Sequence, residues 1–259
     1  MIDSKRHSKR LLVRLRLCVI GLHLLFGGFQ VAVLFPFADI PARRRLRQAW
    51  SHQLLGLLGI RVEHDPGELG ALDAGLLVSN HVSFVDILAI NAVLPSGFVA
   101  KSDVAGWPLI GWLAARNETV FIERGNRQAA HRTRENMVAA LGGGGRLAIF
   151  PEGTTTRGDR VLPFHAALFQ SAVDAGAPVH ALVVAYRDRD GRSSQAAAYV
   201  DDLSLVECLE TILASPGLVA RVALAASFPP PQADRRSLAH GAHQAVAHGL
   251  ALLSCAISP

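Results

Sequence analysis

The stretch Gly75-Leu76-Leu77-Val78-Ser79-Asn80-His81-Val82-Ser83-Phe84-Val85-Asp86 runs an apolar segment into a polar turn and then into a helical pattern. A strand that ends in polar residues just before a helix is where α/β folds place reactive groups. The same alternation continues outward from it. Short β-like runs lie at 60–63, 75–79, 98–101, 119–122, 147–150, 179–185, 198–200 and 219–225. Helical patterns lie at 84–94, 109–115, 127–141, 164–175, 203–214 and 235–256. Strands alternating with helices predict an α/β fold, with a largely parallel sheet flanked by helices. The glycines at 142–145 read as a helix stop and turn, because they lack the Lys-Ser/Thr of a phosphate-binding loop.

Three segments carry candidate chemistry. In the first, His81 sits at the turn and Asp86 lies five residues on, in the first turns of the next helix. A chain turning into a helix brings such a carboxylate back to an imidazole nitrogen. The carboxylate fixes the tautomer and leaves the other nitrogen free to take a proton from a hydroxyl. Ser83 reads as the helix N-cap rather than a nucleophile, and no G-x-S-x-G elbow occurs in the chain. Taken alone, a His and an Asp at this spacing are more often an incidental polar contact. The second segment is Phe150-Pro151-Glu152-Gly153-Thr154-Thr155-Thr156-Arg157, again after an apolar run. Its glycine and threonines leave backbone N–H groups and hydroxyls facing an anion, and Arg157 adds charge. The plainer reading is a strand-to-loop turn. The third is Val120-Phe121-Ile122-Glu123-Arg124, where Arg124 and Arg127 at a strand end suit a phosphate. Ordinary surface charge is the alternative.

The N-terminus is different in kind. Residues 17–37 are nearly all apolar, interrupted by His23 and Gln30, and about 20 such residues cross a bilayer as a helix. The run exceeds a signal-peptide core and no small-residue cleavage site follows, so it reads as retained. Basic clusters stand on both sides: Lys5, Arg6, Lys9, Arg10, Arg14 and Arg16 before, and Arg43, Arg44, Arg45 and Arg47 after. Cytoplasmic flanks carry positive charge. A helix that enters one leaflet and returns keeps both clusters beside anionic lipid, and that monotopic reading is preferred to a single span. Gly27 and Gly28 mark a bend or a close packing contact. Residues 43–58 form a second, amphipathic helix ended by Gly59. The chain thus divides into a membrane-associating helical pair, 1–58, and an α/β domain, 59–259.

Composition narrows the class. Half the residues are hydrophobic and 18% are charged, too apolar for a disordered chain. The 26 Lys+Arg against 21 Asp+Glu make a surface that attracts nucleic acid, anionic lipid or acidic carriers without choosing among them. Three cysteines with no CxxC and no neighbouring His cluster suggest no zinc site, and read as reduced, mostly buried thiols.

Together the three segments resemble the glycerolipid acyltransferase family, whose bacterial type member acylates 1-acylglycerol-3-phosphate. The pattern N-H-x-S-x-x-D is met from Asn80 to Asp86, F-I-x-R by Phe121, Ile122 and Arg124, and F-P-E-G-T from Phe150 to Thr154. A fourth motif is partial at Ala177, Pro178 and Val179. The segments Phe98-Val99-Ala100-Lys101 and Trp107-Pro108-Leu109-Ile110-Gly111 look like the family's connection. The resemblance spans residues 60–225 with its motifs in order. It implies that His81 is the general base for the acceptor hydroxyl and that Asp86 orients it. It implies that Arg124, Glu152, Gly153 and Thr154, with Lys101 and Arg157, shape the site for the acceptor's polar head. It further implies a lysolipid acceptor, lysophosphatidic acid in the type member. Acyl-CoA or acyl carrier protein would be co-substrate, with no cofactor, no metal and no nucleic acid. The protein would lie at the inner membrane with its catalytic domain toward the cytoplasm. Two departures stand out. Thr155 occupies a position where the family often has Arg, and His165 one where it often has Lys or Arg. The run 154–164 looks like the branch that includes lyso-ornithine lipid acyltransferases, which keeps that acceptor open beside other lysophospholipids. A thioester hydrolase and a non-catalytic lipid-binding protein are the rival classes.

Overall fold

The structure is a computed structural model that describes residues 2–122, 127–232 and 234–255; side chains are described from residue 13 onward, except those of 127 and 255. The chain opens with helix α1, Ile2–Phe29, which passes through one π-helical turn, Gln30–Leu34, and one 3-10 turn, Phe35–Phe37. Helix α2, Ile40–Leu58, follows, started by the Asp39 side chain accepting from Ala42 N–H at 2.8 Å and ended by Gly59 in the left-handed region. The remaining elements are β1 (Ile60–Glu63), α3 (Pro66–Gly70), β2 (Gly75–Ser79), α4 (Val85–Val93), β3 (Gly97–Lys101), α5 (Ile110–Arg116), β4 (Val120–Ile122), α6 (Arg127–Gly142) and β5 (Arg146–Ile149). They continue with α7 (Gln170–Ala175), β6 (Val179–Arg187), α8 (Leu205–Ala214), β7 (Leu218–Phe228) and α9 (Arg235–Cys255).

The described strands form one seven-stranded sheet in the order β1-β7-β6-β2-β5-β3-β4. Every pairing is parallel except that of β6 with β7, so β1 and β7 run against the other five. This is the expected α/β class with its largely parallel sheet. Strand β2 lies at the centre, and all five of its residues are buried. Its side chains alternate between two cores. Leu77 joins Val85, Ile90, Leu54, Leu55, Ile212 and Leu218 on the face covered by α2, α4 and α8. Leu76 and Val78 join Met137, Ile149, Phe169, Ala242 and Val246 on the face covered by α6, α7 and α9. A strand buried on both sides has no polar face to show, which is why its sequence is unbroken apolar. Helix α9 is a packing element, burying Leu238, Ala242 and Val246 against the sheet, and His243 meets the Val161 carbonyl at 3.3 Å.

Three sequence expectations are corrected here and one open alternative is decided. Residues 198–200 are not a strand. Tyr199 instead donates its N–H to the Val82 carbonyl at 2.9 Å. Of the two readings left open for Gly27 and Gly28, the structure gives close packing at Gly27, and α1 continues through both to Phe29. Gly27 is a close-packing site: a Cβ there would stand 2.5 Å from Nε1 of Trp50. That contact lets His23 stack on Trp50 at 5.3 Å while the Trp50 indole N–H donates to the His23 carbonyl at 3.1 Å. Arg47 is no membrane-facing cation. It is buried, donates to the Ser96 and Asn117 carbonyls at 2.7 and 3.1 Å, and pairs with Glu118 at 2.9 Å. This fastens α2 to the segments that lead into β3 and β4. Finally, Cys208 is buried as expected, but Cys18 is exposed on α1.

One continuous helical stretch, Val13–Phe37, is long and apolar enough to cross a membrane by length and composition. Its exposed side chains recur at helical spacing: Leu15, Val19, Leu22, Phe26, Phe29 and Val33. The opposite side packs into the molecule through Ile20 and Val31. One flank therefore presents a stripe of large apolar groups to the surroundings, where a bilayer interior would cover it.

Candidate active site

Strands β2 and β5 are neighbours in parallel register, with Val78 opposite Ile149. The register carries the segments after both strands to the same edge of the sheet. His81 and the loop from Phe150 therefore lie side by side, at the carboxyl ends of the strands where open α/β sheets place their sites.

His81 Nδ1 is 2.8 Å from Asp86 Oδ2. A carboxylate only accepts, so Nδ1 is the donor and Nε2 carries the free lone pair. Asp86 is fully buried in the first turn of α4. The same oxygen accepts the backbone N–H groups of Val82 and Ser83 at 2.7 and 2.9 Å. Asp86 thus ties down the turn that precedes α4, and it stands in the helix's first turn, where the helix dipole favours negative charge. Ser83, expected as the N-cap, is not: Phe84 holds that position and no side chain caps the helix. The Ser83 hydroxyl makes no capping bond and is buried beside Cys208. The imidazole lies flat on Phe150, with ring centroids 3.9 Å apart and planes 9° from parallel, and Phe150 is backed by Phe98.

The backbone of His81 is held at both ends. Glu152 Oε1 accepts its N–H at 2.7 Å, and the N–H of Thr156 donates to its carbonyl at 2.8 Å. The second oxygen of Glu152 accepts the N–H of Leu162 at 2.7 Å. Burial pushes the Glu152 carboxyl above its usual range, and the two backbone donors offset part of that rise. Asn80, also fully buried, clamps β6 by giving to the Val184 carbonyl at 2.8 Å and accepting from its N–H at 2.9 Å.

A cleft of about 1500 Å³ opens in front of the imidazole. One wall is the face of α4 bearing Phe84, Ile87, Leu88 and Asn91, a spacing that puts all four on one side of the helix. The opposite wall comes from α1 and α2, through Leu24, Val31 and Leu54. An apolar channel therefore runs from His81 to the membrane-type helix. At the polar end stand Lys101, exposed at the tip of β3, and the loop with Gly153, Thr154 and Arg157. Arg157 is 2.6 Å from Asp201, and both are more than half exposed, so the pair is weak. Glu152 is the expected site residue that turns away from the cleft, its oxygens spent on backbone donors. Arg124 lies outside the described residues. Sequence reasoning missed Tyr186, whose hydroxyl donates to Asp86 Oδ1 at 2.7 Å. It also gave Phe150 no role beside the imidazole.

The comparisons with known proteins agree with this architecture. The family model described as Acyltransferase matches residues 63–185, which contain the paired His81 and Asp86 and the Glu152 loop. The chain is 37% identical over 212 residues to a lyso-ornithine lipid O-acyltransferase of Pseudomonas aeruginosa, covering 82% of this chain and 81% of that one. The chain belongs to the acyltransferase family and is an enzyme of acyl transfer. It is also 38% identical over 175 residues to a 1-acyl-sn-glycerol-3-phosphate acyltransferase of Neisseria meningitidis, covering 62% of this chain and 68% of that one. Its fold matches the crystal structure of the 1-acyl-sn-glycerophosphate (LPA) acyltransferase PlsC from Thermotoga maritima. The TM-score is 0.74 at 20% identity, over 98% of this chain and all of that one.

Proposed function

We propose that the chain moves a fatty acyl group from acyl-CoA or acyl carrier protein to the free hydroxyl of 1-acyl-sn-glycerol-3-phosphate, yielding phosphatidic acid. The observation that carries this reading is the His81–Asp86 contact of 2.8 Å at the head of an apolar cleft. His81 Nε2 takes the proton of the acceptor hydroxyl as its oxygen attacks the thioester carbonyl carbon. The tetrahedral oxyanion then collapses, the C–S bond breaks, and the proton passes from the imidazolium to the departing thiolate. General base catalysis of this kind contributes about 10²–10⁴-fold. Asp86 stabilises the imidazolium, and Phe150 holds the ring plane. The acyl chain lies along α4 toward α1. Residues 1–58 rest the enzyme on the cytoplasmic face of the inner membrane and residues 59–259 carry the chemistry. Lys101, Thr154 and Arg157 form the head-group end, and the motif match in the sequence assigns Arg124 to the acceptor's polar head as well.

A second acceptor, lyso-ornithine lipid, is favoured by one observation: the carboxylate of Asp201 stands beside Arg157 in the cleft lining and suits a cationic head group better than a phosphate. The same acceptor stands in the name of the Pseudomonas relative. Purified enzyme with acyl-CoA, assayed against each lysolipid separately, decides between them. The proposal expects faster transfer to the glycerophosphate, and Arg124→Ala then raises the KM for that acceptor. Faster transfer to lyso-ornithine lipid, with an unchanged KM in Arg124→Ala, overturns the phosphate assignment.

A further inference from the structure

Resting on the reading of His81 and Asp86 as base and orienter, we propose that Tyr186 is a positioning residue of the reaction, the hydroxyl that fixes Asp86 behind His81. Tyr186 lies in β6, one hundred residues from Asp86 in sequence. Its side chain is buried, at 4% exposure, and its hydroxyl donates to Asp86 Oδ1 at 2.7 Å. The three other contacts of the carboxylate, from His81 Nδ1 and the N–H groups of Val82 and Ser83, all fall on Oδ2. Tyr186 therefore holds the one oxygen that the turn itself does not reach. Without it Oδ1 is a buried acceptor with no partner, and the carboxylate keeps its contact with the imidazole through Oδ2 but is held less firmly in its plane.

The phenol is suited to this and to little else. Burial pushes its own ionisation well above the usual range, and the neighbouring Asp86 charge pushes it further, so it stays a donor throughout the working pH range. It does not line the cleft that holds His81. The strand that carries it is anchored two residues earlier by the Asn80 clamp on Val184. Strand β6 thus registers both ends of the catalytic turn, Asn80 before His81 and Asp86 after it. The titratable groups facing this assembly are His81 before α4, Glu152 after β5 and Cys208 of α8.

The sign of the electronic effect follows. A phenol donating to the carboxylate withdraws negative charge from it. The carboxylate without that bond holds a protonated imidazole more tightly. The acid limb of the kcat/KM profile, which requires the neutral base, then moves to higher pH.

The test uses the full-length enzyme in vesicles or detergent with acyl-CoA and lysolipid. Tyr186→Phe keeps the ring and its packing. We expect kcat to fall about 10–100-fold, both KM values to stay within about twofold, and the acid limb to move up. The chain has two tyrosines, Tyr186 and Tyr199. In a Tyr199→Phe background, fluorotyrosine incorporated biosynthetically places the analogue at position 186 alone. A more acidic phenol donates more strongly, so the limb should move down, opposite to the deletion. This arm keeps the hydroxyl and stands even where Tyr186→Phe folds poorly. A lowered Tm with unchanged kcat and pH limb in Tyr186→Phe, or an unmoved limb with fluorotyrosine, overturns the proposal. His81→Ala run in parallel separates the two readings: activity surviving there defeats the catalytic assignment itself, whereas its loss beside an unaffected Tyr186→Phe defeats only the role of Tyr186.

Discussion

Glu152 grips the backbone of His81 rather than any ligand: its Oε1 accepts the His81 N–H at 2.7 Å while Oε2 accepts that of Leu162 at the same distance. The carboxylate ties the turn after β2 to the loop after β5. Glu152→Gln replaces one acceptor with an NH2 group that must face a backbone N–H, a donor against a donor. Buried mismatches of this kind cost about 1–3 kcal/mol. The variant should lose that much stability and at least tenfold in kcat, with acceptor KM little changed; calorimetry and steady-state kinetics read the two.

The pH dependence of that difference has a definite sign. Burial raises the folded pKa of Glu152 above its usual 4.5. The native state therefore binds the proton more tightly than the unfolded chain does. Its contribution to stability is fully present below about pH 4.5 and is lost as pH rises through the raised folded value. Urea unfolding of wild type and Glu152→Gln between pH 4 and pH 8 should show the wild-type advantage shrinking with rising pH. An advantage that grows instead would mean that the two backbone bonds outweigh burial.

Gly153 holds a φ of +71°, and a Cβ there would come 3.2 Å from the His165 ring. His165 is exposed and can yield, so backbone strain dominates, at about 1–2 kcal/mol. Gly153→Ala should lose that stability and raise the lysolipid KM more than it lowers kcat, because the loop it distorts carries Thr154 and Arg157. Adding His165→Ala should restore little. Full recovery in the double variant would show the steric contact to be the cause.

The apolar stripe of α1 predicts membrane association without a folding role. Phe26 is 46% exposed and Leu22 66% exposed. Phe26→Glu should weaken binding to anionic vesicles at least tenfold, since a charge in the acyl region costs about 2–3 kcal/mol. The Tm in detergent should hold within about 1 °C, as exposed substitutions rarely change stability. Sedimentation with vesicles measures the first, and equal binding would exclude this stripe as the contact.

The sequence disclosed those parts of the fold whose cause is local. The unbroken apolar run of β2 is buried on both sides, and its residue pattern says so directly. The His81–Asp86 pair lies five residues apart across the turn that leads into α4, so the groups are brought together locally. What depends on distant partners stayed hidden. The 198–200 run has the residues of a strand but is tied instead to the turn after His81, through Tyr199 N–H and the Val82 carbonyl. The antiparallel return of β7 onto β6 leaves no mark in either strand. Arg47 stands in a basic cluster that reads as lipid-facing, yet it is the one arginine of that cluster to be buried. Glu152 was visible as part of a motif, but only the β2–β5 register shows that its carboxylate faces the backbone. Tyr186 contacts Asp86 across one hundred residues, and nothing in its own strand singles it out.

His81→Ala, purified and assayed with acyl-CoA in the presence and absence of lysolipid, bears on all of this at once. The imidazole packs on Phe150 and bonds to Asp86, so its removal should lower the Tm by a few degrees while leaving the fold intact, because Asp86 keeps its two backbone N–H donors and Tyr186. Transfer should drop by about 10³-fold or more, and wild type should release no free fatty acid when the acceptor is withheld. Transfer persisting in the variant would remove the imidazole from the mechanism, and fatty acid released by wild type without acceptor would make the enzyme a thioester hydrolase.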